Sequence, residues 1–388
     1  MTALITTANS IKGLIAVRSL GRRGIGVTTA DKQRFALGSF SRYSKDFYTY
    51  PSPTQFPSEF IHSLTTIIEK HKQDVLMPVH SEDTYLIAKH KSRLETLIKV
   101  PLHDYSTMMQ VNDKGFLMKA ADDMGIRVPR TYLIDNLSSL HQIADKLDFP
   151  AVIKLRETAS SIGLSYVYSK EDLISRFKET VSRFNLSPHS YPLIQEYIEG
   201  DGYGVSLLFN QGDLRAKFTH KRIREYPISG GPSTYRISVK HQKMEKLAIE
   251  LLKHFNWHGV AMVEFKLDSK HKNPVLMEIN PRFWGSVNQA VQSGVDFPYL
   301  LYTMAMEGDV KPVLDYKVGI KTKNIFIDYI ALSSYIRKTK KMGLLKEFFC
   351  LPVNDDIFSF DDPLPMLSFI RTGLNEVIHS RYKKAAIQ

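Results

Sequence analysis

"VLMEINPRFWGS", residues 275–286, is the stretch of sequence that decides the fold. It is an apolar strand pattern that carries Glu278 and Asn280 two residues apart and ends at Pro281, which has no backbone N–H to continue a ladder. Because side chains alternate between the faces of a strand, Glu278 and Asn280 point to the same side. Arg282 follows directly. An acid, an amide and a guanidinium at the end of an apolar strand need a common partner.

The preceding segment, residues 259–267, is a second apolar strand, and the polar loop "DSKHKN" between the two predicts a hairpin. Pairing about the centre of this loop places Glu264 opposite Met277 or Glu278. Two facing carboxylates on a covered hairpin are costly unless a cation lies between them. The oxygens of Glu264, Glu278 and Asn280 suit Mg²⁺, and the alternative is an exposed hairpin end with solvated acids.

The composition of the 388-residue chain is that of a globular protein with two to three domains. Its single cysteine, Cys350, fits a reducing compartment, and the N-terminal segment lacks the pattern of a secretory signal, so we expect a cytoplasmic protein. The net charge of +12 is spread along the whole chain. This favours a generally basic surface over a nucleic-acid interface, and we expect no nucleic-acid partner.

Strand and helix patterns alternate over the first hundred residues, which predicts a parallel sheet covered by helices. Within this region the segment "GRRGIG", residues 21–26, has the glycines of a dinucleotide loop. It follows a helix and precedes a strand, which is the wrong order for that fingerprint. We therefore expect a helix C-cap turn with Gly21 or Gly24 in the left-handed conformation.

Three further segments carry candidate ligand contacts. Lys154 ends an apolar strand, and the loop behind it could cradle phosphates, although an ordinary hairpin turn is the alternative. The segment "LIQEYIEGDGYGV" could present the Glu196 side chain and the Ile198 backbone to the edge of a base. The basic segment 219–236 surrounds a glycine pair and is either an anion site or a solvated loop.

In order along the chain, "NDKGFLMKAADDMGIRVPRT", "PAVIKLRE…SSIG", "QEYIEGDGYGV" and "VEF…LMEINPRFWGS" resemble the motifs of ATP-grasp enzymes. The resemblance covers residues 1 to about 310. It implies an α/β fold with three parts: a Rossmann-like pre-ATP-grasp domain (1–110), a small α/β lid (111–192) and a β-rich metal-binding domain (193–312). Beyond these parts we expect a helical C-terminal extension (313–388).

The resemblance also implies roles for individual residues, with ATP lying between the lid and the metal hairpin. The nucleotide contacts would be Lys114, Lys154, Ser160, Ser161, Gly163, Glu196, Ile198 and Asp201; the ligands of one or two Mg²⁺ ions, with Mn²⁺ as an alternative, would be Glu264, Glu278 and Asn280; the catalytic cations would be Arg282, Lys221 and Arg222. Many members place a ribose-binding glutamate where this chain has Gly202, so here Asp201 or Glu199 must serve.

The implied reaction is ADP-forming ligation of two small molecules, a carboxylate and an amine. The carboxylate attacks the γ-phosphate of ATP, and the amine then displaces phosphate from the acylphosphate. A phosphotransferase that stops after phosphorylating a hydroxyl group and a non-catalytic ATP-binding module are the alternatives. Residues expected to border the acceptor pocket are Arg224, Ser233, Arg236, Trp284 and Ser286. A homodimer remains open.

The last segment, residues 311–388, lies outside the shared motifs and mixes apolar helical patterns with lysines. We expect a helical extension that covers the core; peripheral contact with an anionic membrane is the less favoured alternative. The segment resembles ATP-grasp proteins of the predicted carboligase type.

Overall fold

The computed structural model describes residues 1–157, 162–228, 230–340, 342–345 and 354–371. The described chain is organised around three β-sheets, and the site discussed below lies where they meet.

The first sheet has four parallel strands in the order β3-β2-β1-β4. Its strands are β1 (Thr2–Thr6), β2 (Gly26–Asp31), β3 (Ser44–Thr49) and β4 (Val75–Pro78), and the helices that accompany them are α1 (Ile11–Gly21), α2 (Pro57–His71), α3 (Ser81–Lys89), α4 (Lys91–Leu94), α5 (Tyr105–Asn112) and α6 (Lys114–Asp123). The parallel sheet expected from the alternating pattern is present. Strand β3 was not expected, because its polar sequence belongs to a partly exposed edge strand.

Local signals in this region act as the sequence indicated. The Ser10 hydroxyl accepts a hydrogen bond from the backbone N–H of Gly13 at 3.1 Å and so caps α1. Gly24 has φ +77°, which confirms the left-handed turn after α1, whereas Gly21 is the last residue of the helix. The helical pattern of residues 82–97 is divided at His90 into α3 and α4.

The second sheet has four antiparallel strands in the order β5-β8-β6-β7 and its own apolar core. Its elements are β5 (Thr131–Tyr132), α7 (Ser139–Ala144), β6 (Ala151–Lys154), β7 (Ser165–Val167), α8 (Lys170–Arg183) and β8 (Leu193–Glu196). Leu173 and Phe177 project from α8 into this core and are fully buried. A separate core of this size lets the unit keep its shape while it forms one wall of a cleft.

The third sheet has seven strands in the order β13-β12-β9-β10-β11-β14-β15. They are β9 (Gly200–Asn210), β10 (Asp213–Glu225), β11 (Ser233–Ser238), β12 (Gly259–Asp268), β13 (Pro274–Asn280), β14 (Lys321–Lys323) and β15 (Asn354–Asp355); the helices are α9 (Gln242–His254), α10 (Val287–Gln292), α11 (Phe297–Glu307) and α12 (Ile325–Thr339). All neighbours in this sheet are antiparallel except β14 and β15, which are parallel.

The hairpin of β12 and β13 has the register expected from the sequence. Glu264 pairs with Glu278, and Met262 pairs with Asn280. The next pair is Phe265 with Leu276, so Met277 is an extra residue in β13 and forms a bulge beside the two acids. Strand β13 ends at Asn280, directly before Pro281.

The C-terminal extension is part of the third sheet, since it contributes β14, β15 and α12. Three buried arginine–aspartate pairs connect it to the rest of the chain: Arg224 with Asp328 at 2.6 Å, Arg236 with Asp356, and Arg18 with Asp362 at 2.8 Å. The extension therefore packs against the rest of the chain, as the favoured interpretation expected, but it is not purely helical, because β14 and β15 extend the third sheet. Among the described helices, none combines the length and apolar character needed to cross a bilayer.

Candidate active site

A cavity of about 750 Å³ lies where the three sheets and the C-terminal extension meet. Ten of the residues singled out from the sequence line it: Lys114, Lys154, Glu196, Ile198, Asp201, Arg222, Glu264, Glu278, Asn280 and Arg282. Ser233, Arg236, Trp284 and Ser286, expected at an acceptor pocket, line it too. Ser160 and Ser161 lie outside the described residues.

The two acids of the hairpin face each other in this cavity, and an amide bridges them. The Asn280 side-chain nitrogen donates to Glu264 Oε1 at 3.0 Å and to Glu278 Oε1 at 3.2 Å. The Asn280 oxygen accepts from Arg282 Nη2 at 2.9 Å. The donor group of the amide thus occupies the point on which both carboxylates converge, where a cation would also be most stable.

Cationic side chains surround the two carboxylates. Arg222 bonds Glu264, and the Lys114 ammonium lies 3.7 Å from Glu278 Oε2. Burial raises the pKa of Glu264 to about 7, because Arg222 only partly offsets the desolvation and the charge of Glu278 adds to it. Burial also acts on Glu278, but Lys114, Lys154 and Arg222 together outweigh it and lower the pKa of this carboxyl.

The donor set fits Mg²⁺. The two carboxylates provide hard oxygens from a single hairpin, and the Asn280 oxygen, which here accepts from Arg282, would join them if the amide group turned over; most of an octahedral shell is left for water and phosphate oxygens. Within the described part of the chain no group of three His, Cys, Asp or Glu side chains could hold a metal ion.

Lys154, together with the described residues Leu155, Ile162 and Leu164, lines the side of the cavity formed by the second sheet. Burial lowers the pKa of Lys154 to about 8, although the charge of Glu278 opposes this shift. Gly163 does not line the cavity; it has φ +70°, and a Cβ there would lie 2.6 Å from the Leu155 side chain. The structure therefore gives Gly163 a backbone role, in which the loop turns back close to β6.

The hinge between the second and third sheets has most of its polar groups already engaged. Glu196 Oε2 accepts from the backbone N–H of Arg130 at 3.2 Å, and the Ile198 carbonyl accepts from the Lys266 ammonium at 2.8 Å. Lys266 also lies 5.2 Å from the centre of the Tyr197 ring. Lys266 was not among the site residues expected from the sequence. Its position two residues after Glu264 places it on the same face of β12.

Lys221 and Arg222 were expected to act together, and the structure separates them. They are neighbours in β10, so their side chains lie on opposite faces of the sheet. Arg222 lines the cavity and bonds Glu264. Lys221 does not line it, and its ammonium pairs with Asp201 at 2.6 Å. Asp201, one of the two acids expected to bind a ribose, is therefore already ion-paired with Lys221.

The two arginines expected at the acceptor pocket are neutralised by the C-terminal extension. Arg224 does not line the cavity, and it makes two hydrogen bonds to Asp328, at 2.9 and 2.6 Å. Arg236 lines the cavity but is ion-paired with Asp356. Trp284 is both wall and core, since it lines the cavity while its ring packs edge-on against Phe297 with the ring centres 5.0 Å apart.

Two residues of the first sheet unit, Lys12 and His80, line the same cavity, although the sequence did not indicate them as site residues. Lys12 follows β1 and His80 follows β4. Their position after adjacent parallel strands is a signal that could have indicated them, because ligands of such sheets lie at the carboxyl ends of the strands.

Comparison with known proteins gives one consistent result. Residues 190–325 match a family model described as "ATP-grasp in the biosynthetic pathway with Ter operon". The chain is 25% identical over 228 residues to the D-alanine–D-alanine ligase of Pelotomaculum thermopropionicum, covering 50% of this chain and 68% of that one. It is 22% identical over 339 residues to the carbamoyl phosphate synthase large chain of Thermotoga neapolitana, covering 82% of this chain but only 30% of that one.

Among solved structures, the biotin carboxylase of Campylobacter jejuni in complex with β-γ-ATP matches with a TM-score of 0.69 at 15% identity, covering 82% of this chain and 74% of that one. This likeness shows a shared fold and confirms the fold class expected from the motifs. The chain spans less than a third of the length of several curated relatives, so their full activities are not carried over to it.

Proposed function

We propose that the chain is an ATP-grasp enzyme, an ADP-forming ligase that activates a carboxylate with ATP and Mg²⁺ and joins it to an amine. The observation that carries the proposal is the pair of facing carboxylates, Glu264 and Glu278, bridged by Asn280 in a cavity lined by Lys114, Lys154 and Arg222. This combination of acids and cations suits a metal–polyphosphate complex, in which both signs of charge must be matched.

The nucleotide would lie along the cavity from the hinge to the hairpin. Its base would lie at the hinge segment 196–198, and its phosphates would lie between Lys154, Lys114 and Arg222. A volume of about 750 Å³ is large enough for a nucleotide together with a small acid. Bound Mg²⁺ would add positive charge at the phosphoryl oxygens, where negative charge develops during transfer.

The chain's own residues position the substrates and neutralise their negative charge. None of these residues needs to become covalently modified. A carboxylate oxygen of the acid forms a bond to the γ-phosphorus as the bond to the ADP oxygen breaks, and the amine nitrogen then replaces phosphate at the acyl carbon. Arg282, held by Asn280 and by Ser81 Oγ at 2.9 Å, presents a fixed guanidinium for these oxyanions.

The test is incubation of the purified protein with ATP, MgCl₂ and pools of amino acids, other carboxylic acids and amines. We expect ADP release that depends on an acid, and hydroxylamine should convert the activated acid to a hydroxamate. Glu278→Gln should lower the rate by on the order of 100-fold or more, since a metal ligand is lost. Glu250→Gln, the same change at an exposed position on α9, is the matched control.

The other outcomes are distinct. ADP release that requires a hydroxyl compound and gives no hydroxamate would identify a phosphotransferase. Stabilisation by ATP without turnover in any pool would identify a binding module. Full activity of Glu278→Gln would show that the hairpin does not hold the catalytic metal.

A further inference from the structure

Lys12 is a buried cation without a counter-ion. The residue is 8% exposed and lies in the first turn of α1, facing the cavity. No hydrogen bond or carboxylate within 4 Å of its ammonium is found among the residues that the structure describes. The Lys12 ammonium opens onto the cavity with no anionic partner from the described residues, so an anion bound in the cavity would stabilise it.

The two acids whose charges act on Lys12 are already engaged by other groups. Asp83 is fully buried and accepts from the hydroxyl groups of Thr6 and Thr7 and from the backbone N–H of His80. Glu82 pairs with Lys32 at 2.5 Å. Their charges act on Lys12 from a distance, but neither satisfies its hydrogen-bonding capacity.

Arg282 is a second buried cation in the same wall. It is 7% exposed, and its three hydrogen bonds go to uncharged groups: Ser81 Oγ at 2.9 Å, the Phe283 carbonyl at 2.8 Å and Asn280 Oδ1 at 2.9 Å. Its positive charge acts on Lys12 and, together with burial, lowers the pKa of that ammonium. Two buried, mutually repelling cations on one cavity are most stable with an anion between them.

The backbone around Lys12 also favours an anion. In the first sheet β1 lies between β2 and β4. The chain continues from β1 towards β2, whereas β4 lies on the other side of β1, so the strand order changes direction between β1 and β4. The amino ends of α1 and α3 therefore meet at the carboxyl ends of β1 and β4, where open α/β sheets bind their ligands. His80 lines this crevice, and its Nδ1 accepts from the Glu82 N–H, so Nε2 carries the proton and is a donor.

We propose that Lys12 and Arg282, with His80 as a neutral donor, form an anion subsite that binds a carboxylate group of the acid substrate. This inference rests on the proposed function and extends it: the first sheet unit, through Lys12, determines which acids the enzyme accepts. The subsite adjoins Asn280 through Arg282, so an acid bound there lies beside the metal-binding hairpin. Substrates without a negative charge at this position leave the two cations unpaired and are disfavoured.

The first test measures binding without turnover. Thermal unfolding of the full chain is followed in saturating Mg²⁺ and ADP, which occupy the nucleotide contacts, while sodium malonate, sodium phosphate or sodium chloride is added at equal ionic strength. We expect malonate to raise the Tm more than phosphate or chloride does, and we expect Lys12→Met to abolish that difference. Lys70→Met, an exposed lysine on α2, should leave it intact.

Lys12→Met should also be at least as stable as the parent protein in the absence of anions, because the variant removes a buried charge. A lower Tm for Lys12→Met without anions would show a structural lysine and overturn the proposal. A malonate effect that survives in Lys12→Met would do the same. A larger effect of phosphate than of malonate would overturn the assignment to a carboxylate and indicate a phosphorylated substrate.

The second test uses the acid identified by hydroxamate formation. Lys12→Met should raise the KM for that acid at least tenfold and change the KM for ATP less than twofold. An unchanged KM for the acid, in a protein that turns over normally, would reject the subsite and leave the proposed function standing. A protein that turns over no acid but shows the Lys12-dependent malonate effect would reject the proposed function and leave the subsite standing.

Discussion

Glu264 and Glu278 are register partners on neighbouring antiparallel strands, and one amide group, that of Asn280, donates to both. Without a metal ion the amide hydrogens take the place of the cation that two facing carboxylates require. This relationship predicts how the hairpin responds to changes in charge and in Mg²⁺.

Asn280→Asp replaces the bridging donor with a third carboxylate. We expect the metal-free variant to lose about 1–3 kcal/mol of unfolding free energy, since three buried acids then repel one another. Millimolar Mg²⁺ should restore most of that loss, because an aspartate is a stronger ligand than an amide. Urea unfolding with and without MgCl₂ measures both effects.

Asn288→Asp is the matched control for that experiment. Asn288 donates to Asp356 Oδ1 at 3.2 Å, so the change again places an acid beside a buried acid, but on α10 and away from the hairpin. The control should be destabilised without recovery in Mg²⁺. Equal recovery of both variants would mean that Mg²⁺ acts nonspecifically.

Lys221 and Arg222 offer a comparison of adjacent cations on opposite faces of β10. Arg222→Met should reduce kcat/KM by on the order of 100-fold, because the side chain faces the cavity and bonds Glu264. Lys221→Met should change it less than about threefold, since exposed ion pairs contribute little. Steady-state kinetics on samples of equal helix content would measure kcat/KM for both variants. Equal losses of kcat/KM would support the expectation from the sequence that Lys221 is a catalytic cation.

The buried pair of Arg224 and Asp328 predicts a large loss of stability when one charge is removed. Asp328→Asn should cost about 3 kcal/mol, because the change removes a buried carboxylate that makes two hydrogen bonds to the buried Arg224 guanidinium. Asp309→Asn, which breaks the more exposed pair with Arg215, should cost less than about 1 kcal/mol. Urea denaturation of both variants tests the contrast; similar losses would mean that solvent screens the first pair.

His258 predicts a loss of stability in acid. Burial, with smaller contributions from Lys91 and His103, lowers the pKa of His258 to about 4, below its value of about 6.5 in an unfolded chain. Between these values the unfolded chain binds a proton that the folded chain does not, so stability falls as the pH drops from 6.5 towards 4. Allowing for solvent screening, this one residue should account for on the order of 2 kcal/mol.

His258→Asn removes the titrating group and keeps an oxygen near Nδ1, which accepts from the Gln211 N–H at 3.4 Å. Its unfolding free energy should fall less between pH 6.5 and 4.5 than that of the parent protein. His62→Asn, an exposed position on α2, is the control and should follow the parent. Parallel curves for His258→Asn and the parent would exclude this role for His258.

The sequence predicted the site best where a regular strand pattern contained a charged side chain whose burial costs free energy. The register of Glu264 with Glu278 followed from loop symmetry, and Ser10 capped its helix as its type suggested. Lys12 and His80 were missed because only the strand order, a long-range property, brings them to the cavity. Lys221 was misplaced because a run of basic residues does not by itself say which of them faces the ligand.

The aspartates that neutralise Arg224 and Arg236 could not be identified from the sequence for the same reason. Asp328 and Asp356 lie about a hundred residues further along the chain, and nothing local indicates that they meet these arginines. An arginine in a sequence is a candidate residue for binding an anion. Only the fold shows whether an acid of the same chain already pairs with it.

The seven-stranded sheet has a consequence for protein synthesis. Its strands β12 and β13 hold the facing acids, while β14 and β15 belong to the extension, and the cavity is lined from Lys12 to Asp356. A chain still emerging from the ribosome therefore lacks one wall of its cavity until the extension has been translated. Under the proposed function, turnover of ATP should require translation at least as far as Asp356, so shorter fragments would not consume the cell's ATP.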